Sequence, residues 1–203
     1  MSHPLTHLRE YKVILGSGSP RRKELMDIIW PDYEIIVSQA EEIIPPKLEN
    51  TKAPAYLAEL KANDLLSKMP EDFLLITADT VVIHQDEILG KPKDREDAIS
   101  MVSRLAGTDH DVISGVCVMT HNQKKVFSSS TSVTVDPMTS EEVVYYVDNY
   151  QVMDKAGSYG VQDWLGVSKV SKLDGSYYNV MGLPVDKLYQ VLRNQIAILQ
   201  KDH

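Results

Sequence analysis

Apolar residues recur along this chain in two rhythms, and their alternation predicts most of its elements. The run Lys12–Leu15 has the length of a buried strand and feeds a Ser-Gly-Ser turn. Ser19 and Pro20 then open a helix over Pro20–Ile29, because serine caps free amides and proline lacks the amide that would go unpaired there. A second strand is expected over Glu34–Ser38, followed by the acidic loop AEEIIPPK and a helix from about Pro54 to Lys68. FLLITADTVVIH, residues 73–84, is apolar and β-branched enough for a central strand. Asp94–Leu105 has helical periodicity, with Asp94 as cap, Ala98, Met101, Val102 and Leu105 as the apolar stripe, and Gly107 as the stop.

Val112–Met119 and Val126–Val135 predict two strands joined by the polar turn His121–Lys124. TSEE, at Thr139–Glu142, is a capping box opening a helix that runs to about Tyr150. Two more strands are expected to flank Asp174-Gly175, and Pro184 opens a last helix with Leu188, Val191 and Leu192 inward. Interleaved helices and hairpins predict an α/β protein with a mixed twisted sheet flanked by helices. Residues 1–203 are read as one domain, with 1–11 a flexible N-terminal segment.

Composition narrows the partners. A net charge of −8 disfavours binding to a long polyanion such as nucleic acid, although a small anion can still be held where cations gather. No apolar run approaches the ~20 residues of a membrane span. The start, MSHPLTHLREYK, lacks the order of a secretory signal, and Cys117 is the only cysteine, so a cytoplasmic protein is expected. His3 and His7 stand four apart in the terminal segment; a surface segment is the reading preferred over a metal pair.

Several residues break the pattern around them. Arg21, Arg22 and Lys23 crowd the first turn of a helix, where each cation is unfavourable by roughly 0.3–1 kcal/mol. Either an anion lies in front of that turn, met by free amides, the loop serines Ser17 and Ser19 and two guanidinium forks, or the side chains splay into water. Asp79 interrupts an apolar strand, where stripping its water costs several kcal/mol unless it is paired, protonated or metal-bound; a tight turn there is the plainer alternative. Lys61 shares a helical stripe with Leu57 and Leu65, which snorkelling would also explain. Lys91 precedes a proline, Glu41 and Glu42 share an acidic loop, and Lys155 can meet a phosphate or pair with Asp154. Cations, isolated carboxylates and a helix N-terminus are together what triphosphate hydrolysis requires.

SGSPRRKEL, ADTVV, LGKPKDREDA, LAGTDHDVISGV, DKAGSYGVQ and GSYYNVMGLP occur in an order that resembles the Maf family of nucleoside triphosphate pyrophosphatases, from about Val13 to Leu192. The resemblance implies a fold shared with inosine triphosphate pyrophosphatases, two lobes around a cleft, and hydrolysis between the α and β phosphates. It implies a divalent cation, Mg2+ or Mn2+, held through Glu42 and Asp79, with Asp79 as proton acceptor. Ser17, Ser19, Arg22, Lys61 and Lys91 become phosphate contacts. Arg21, Thr80 and Gln162 match the specificity positions of the dTTP/UTP branch and not those of the 7-methyl-GTP branch. The family often forms homodimers.

Gly16 and Ala106 replace a common alanine and serine, Gln151 a frequent glutamate, and DWLGV after Gln162 is bulkier than the usual glycine-rich stretch. These last two changes bear on base choice. Rival readings are the same reaction on CTP or another nucleotide, a non-catalytic nucleotide sensor of cell division, and a phosphopeptide-binding module, which leaves Asp79 unexplained.

Overall fold

The computed structural model describes residues 3–194. Its elements are β1 (Lys12–Leu15), α1 (Pro20–Ile29), β2 (Glu34–Ile35), α2 (Ala53–Leu65), β3 (Phe73–His84), β4 (Glu87–Leu89), α3 (Arg95–Leu105) and β5 (Asp109–Met119). Then come β6 (Lys124–Val135), α4 (Ser140–Asn149), α5 (Trp164–Lys169), β7 (Val170–Asp174), α6 (Tyr177–Met181) and α7 (Val185–Asn194). One mixed sheet orders its strands β2-β1-β3-β5-β6-β7, with β4 hairpinned onto the far end of β3. β1 runs parallel to β2 and β3; β3, β5, β6 and β7 are antiparallel in succession.

Residues of β3 are buried on both faces because it serves two lobes. In its first half Leu74, Ile76 and Ala78 join Leu25, Met26, Leu183, Leu188 and Leu192 in one core. Farther along, Val82 joins Val102, Leu105, Val143 and Tyr146 in a second core under α3 and α4. The other face of the first half packs on α2 through Ala58, Ala62 and Leu65. The cleft opens where these cores part.

Several expectations need correction. β2 is only two residues long, because β1 ends at Leu15 and offers the following residues no further strand to pair with beyond the Ile36 N bond to Leu15 O. The segment after Gly175 is the short helix α6 and not a strand, because Asn179 turns inward to Val112 O and Thr131 Oγ1, each at 3.0 Å. β4 and α5 were not anticipated; both are too short to repeat an apolar pattern. The N-terminal stretch, expected to be flexible, carries a 3-10 turn (Thr6–Glu10) whose Leu5 and Leu8 are fully buried in the first core. The capping box of α4 and the Asp94 cap of α3 form as the sequence implies. Among the described residues no helix is long and apolar enough to cross a membrane.

Candidate active site

A cleft of about 670 Å3 is lined by the turn before α1, by α2, by the middle of β3 and by the loop following α4. A glycine sets how closely α2 approaches the sheet beneath it. Gly115 on β5 faces Asp79 on β3, and a Cβ there would lie 2.2 Å from the backbone of Pro54 and Ala55. The start of α2 therefore rests directly on the sheet, fastened by Thr77 Oγ1 donating to Ala58 O at 2.6 Å. One turn on from Leu57, this seating carries Lys61 over Asp79.

Lys61 Nζ donates to Asp79 Oδ1 at 2.6 Å and lies 3.1 Å from Glu42 Oε1. Lys61 has not snorkelled; its side chain is only 12% exposed. Asp79 is 8% exposed, and burial pushes its carboxyl above the ordinary range. Lys61 and Arg22 pull the other way, and Glu42 adds to the rise. Ser38 Oγ and Gln39 N both donate to Asp64 Oδ2, at 2.8 and 3.0 Å, which ties the loop bearing Glu42 to α2.

The crowded cations of α1 separate. Arg22 is spent largely on the protein: Nε donates to Gly182 O at 2.8 Å, one terminal nitrogen to Ser17 Oγ and Ala78 O at 3.1 and 2.9 Å, and the other to Thr80 Oγ1 at 3.2 Å. Four of its five N–H donors are thus used. Arg21 reaches across the cleft to Asp154 Oδ2 at 2.6 Å, and Lys23 is exposed. Ser19 occupies the cap position, yet its hydroxyl makes no cap bond; Ser17 Oγ instead accepts from Ser19 N at 3.3 Å.

Because strand residues alternate, Thr80 points opposite to Asp79. Its hydroxyl meets Ser114 Oγ at 2.8 Å and Gly182 O at 3.2 Å. Lys91, carried by the loop after β4, lines the cleft and makes no ion pair among the described residues. Lys155 is buried beside Asp154 (3.2 Å), Asp163 (3.5 Å) and the Gln151 carbonyl, so it pairs with carboxylates as one of its two readings held. Gln162 lines the same wall, and its Oε1 is buried with no hydrogen-bond partner. His110 Nε2 lies 2.7 Å from the Tyr159 hydroxyl; burial, with some help from His84, pulls this imidazole down to about 4.

Ser17, Ser19, Arg21, Arg22, Glu42, Lys61, Asp79, Thr80, Lys91, Lys155 and Gln162 all line this one cleft, whereas Lys23, Glu41 and the His3/His7 pair do not. Unforeseen were Asp163 and Tyr146 behind the Lys155 wall, and Ser114 and Asn179 behind Thr80. Asn179, a buried amide in an apolar run, was the one with a visible signal.

The metal question turns on the donor set. Glu42 and Asp79 are hard oxygen donors sharing one lysine, but among the described residues no three His, Cys, Asp or Glu side chains are grouped to hold an ion. Two carboxylates suit a cation that takes its other ligands from water and phosphate oxygens.

A mixed sheet with a buried, lysine-paired acid in a cleft walled by cations defines an α/β protein built to receive a small polyanion. Its fold is that of the Staphylococcus aureus Ham1 protein, at a TM-score of 0.53 and 13% identity, over 91% of this chain and 99% of that one. The chain belongs to the Maf family: the family model described as Maf-like protein matches residues 12–195. A Bacteroides fragilis relative named dTTP/UTP pyrophosphatase is 47% identical over 93% of this chain and 98% of its own. Relatives of the same name from Flavobacterium johnsoniae (44%; 91% and 95%) and Porphyromonas gingivalis (46%; 94% and 97%) match as fully.

Proposed function

We propose that this protein hydrolyses dTTP and UTP to the monophosphate and pyrophosphate, with Asp79 as the base. The observation that carries this is Asp79 itself: a carboxyl buried mid-strand, raised in pKa, and opening onto a cationic cleft. A structural acid would be hidden from ligand, and a binding module would have no use for its desolvation.

The triphosphate enters between Arg21, Lys61 and Lys91, with the Ser17 and Ser19 loop and the one N–H left on Arg22 against its oxygens. Asp79 takes a proton from the water that attacks the α phosphorus, the bond to the bridging oxygen breaks, and pyrophosphate leaves. Lys61 holds the Asp79 carboxylate in orientation through Oδ1, which leaves Oδ2 for the water. Glu42 and Asp79 are the residues that would hold a divalent ion; when bound, such an ion supplies charge neutralisation on the phosphate oxygens. Gln162, Thr80 and Arg21 line the side where a base is chosen. The Gln162 amide oxygen has no protein partner, and once turned into the cleft it suits the ring N–H of thymine or uracil, which guanine could also offer but adenine could not.

The test is a panel of nucleoside triphosphates assayed for pyrophosphate release with and without Mg2+ or Mn2+, on the parent and on Asp79→Asn. The parent favours dTTP and UTP, and the variant loses turnover by about 10²–10⁴-fold. Parental rates in the variant, or binding without product, overturn the reading.

A further inference from the structure

Behind the wall that carries Gln162 lies a polar network that the reaction does not use. Tyr146 of α4 is fully buried and does not line the cleft; its ring stacks at 5.2 Å on Tyr150 and at 6.3 Å on Trp164. Its hydroxyl donates to Asp163 Oδ2 at 3.1 Å and accepts from the Gly160 amide at 3.0 Å. Asp163 Oδ2 also lies 3.5 Å from Lys155 Nζ, whose ammonium further meets Asp154, the partner of Arg21. The segment is tightly fitted as well: a Cβ on Gly160 would stand 2.7 Å from Asp163 Oδ2 and 2.9 Å from Lys155 Cε.

The order of donors fixes the geometry. A phenol has one proton, and burial raises the Tyr146 pKa, so that proton stays. While Asp163 receives it, a lone pair is turned to the buried Gly160 amide. Lys155 faces the same carboxylate oxygen and holds it in place. Gln162 follows Gly160 by two residues and Asp163 follows Gln162 by one, so both flanks of Gln162 are pinned.

We infer that Tyr146, Asp163 and Lys155 form a positioning lock that sets where the Gln162 amide stands, making Tyr146 and Asp163 determinants of base selectivity that never touch the nucleotide. This rests on the pyrimidine triphosphate reading of the cleft. It also gives a physical role to the DWLGV stretch, whose first residue is the lock's carboxylate.

Steady-state kinetics on dTTP and dATP test the lock in Tyr146→Phe, Asp163→Asn and the double variant, each well below its melting temperature. Phenylalanine keeps the stacked ring, and asparagine keeps the shape, so at least one variant retains the fold. KM for dTTP is expected to rise about tenfold with kcat changed less than about threefold, and the dTTP:dATP ratio of kcat/KM to fall about tenfold. The double variant is expected to be little worse than either single one, since both break one device. Amide exchange gives a second readout free of activity: exchange across 157–162 is expected to quicken in Tyr146→Phe. A dTTP:dATP ratio within about twofold of the parent, or unchanged exchange, overturns the lock. Failure of the underlying functional reading is seen separately, in a parent that does not hydrolyse dTTP while its exchange still responds to Tyr146→Phe.

Discussion

A base must be ionised to accept a proton, and Asp79 is placed where ionisation is difficult. Burial lifts its pKa, so the acid limb of kcat against pH is expected above the roughly 3.9 of an exposed aspartate. Lys61 opposes that lift, and Lys61→Gln is therefore expected to move the limb to higher pH; kcat measured at saturating dTTP from acid to neutral pH checks it, and an unmoved limb rejects Asp79 as the titrating group. The sign for stability is the reverse. A carboxyl whose pKa is higher folded than unfolded contributes fully below the unfolded value, and that contribution is lost as pH rises through the folded value. Ionised Asp79 thus weighs against folding at pH 7, so Asp79→Asn does not lose stability by this route. Asp79 and Lys61 were visible in the sequence because each breaks an apolar pattern. The partners of Arg22 were not, since they come from Ser17, Ala78, Thr80 and Gly182, joined only by the fold.

Elements long enough to show their period were legible: β3 spans the twelve residues expected, and the two side-chain-capped helices start where their capping residues stand. β5 and β6 begin earlier than their apolar runs, at Asp109 and Lys124, because hairpin pairing extends past the buried stretch. Five-residue α6 and three-residue β4 carry too few residues for a period, and tertiary hydrogen bonds decide them. The packing of α2 on β5 was equally hidden, although Gly115 is its condition. Alanine there would drive a methyl into the Pro54–Ala55 backbone, which cannot step aside as a flexible side chain could. Gly115→Ala is expected to lower stability by about 1–3 kcal/mol in denaturant unfolding. It should also lower kcat/KM on dTTP by roughly tenfold or more, because displacement of α2 carries Lys61 away from Asp79. Stability lost with kcat/KM intact would mean that α2 does not position the site.

At the scale of the molecule, an acidic protein concentrates Arg21, Arg22, Lys61, Lys91 and Lys155 along one cleft. Local field, not net charge, then decides what enters. The first 3-10 turn and α7 both pack on the lobe that carries α1. Leu5 and Leu8 enter the same core as Trp30, Leu188 and Leu192, and His7 Nε2 lies 3.0 Å from Leu192 O, so the first turn and α7 are packed as one unit. Sequence reading missed this because two leucines among polar residues carry no periodicity of their own. The consequence separates fold from chemistry. Leu8→Ala opens a cavity in a fully buried position and is expected to cost about 2–5 kcal/mol, read as a lowered denaturant midpoint with unchanged slope. Leu8 does not line the cleft, so the molecules that remain folded should keep the parental kcat/KM on dTTP. A midpoint equal to the parent's would mean that the first turn does not dock in solution, leaving β1, α1 and α7 to hold that lobe by themselves.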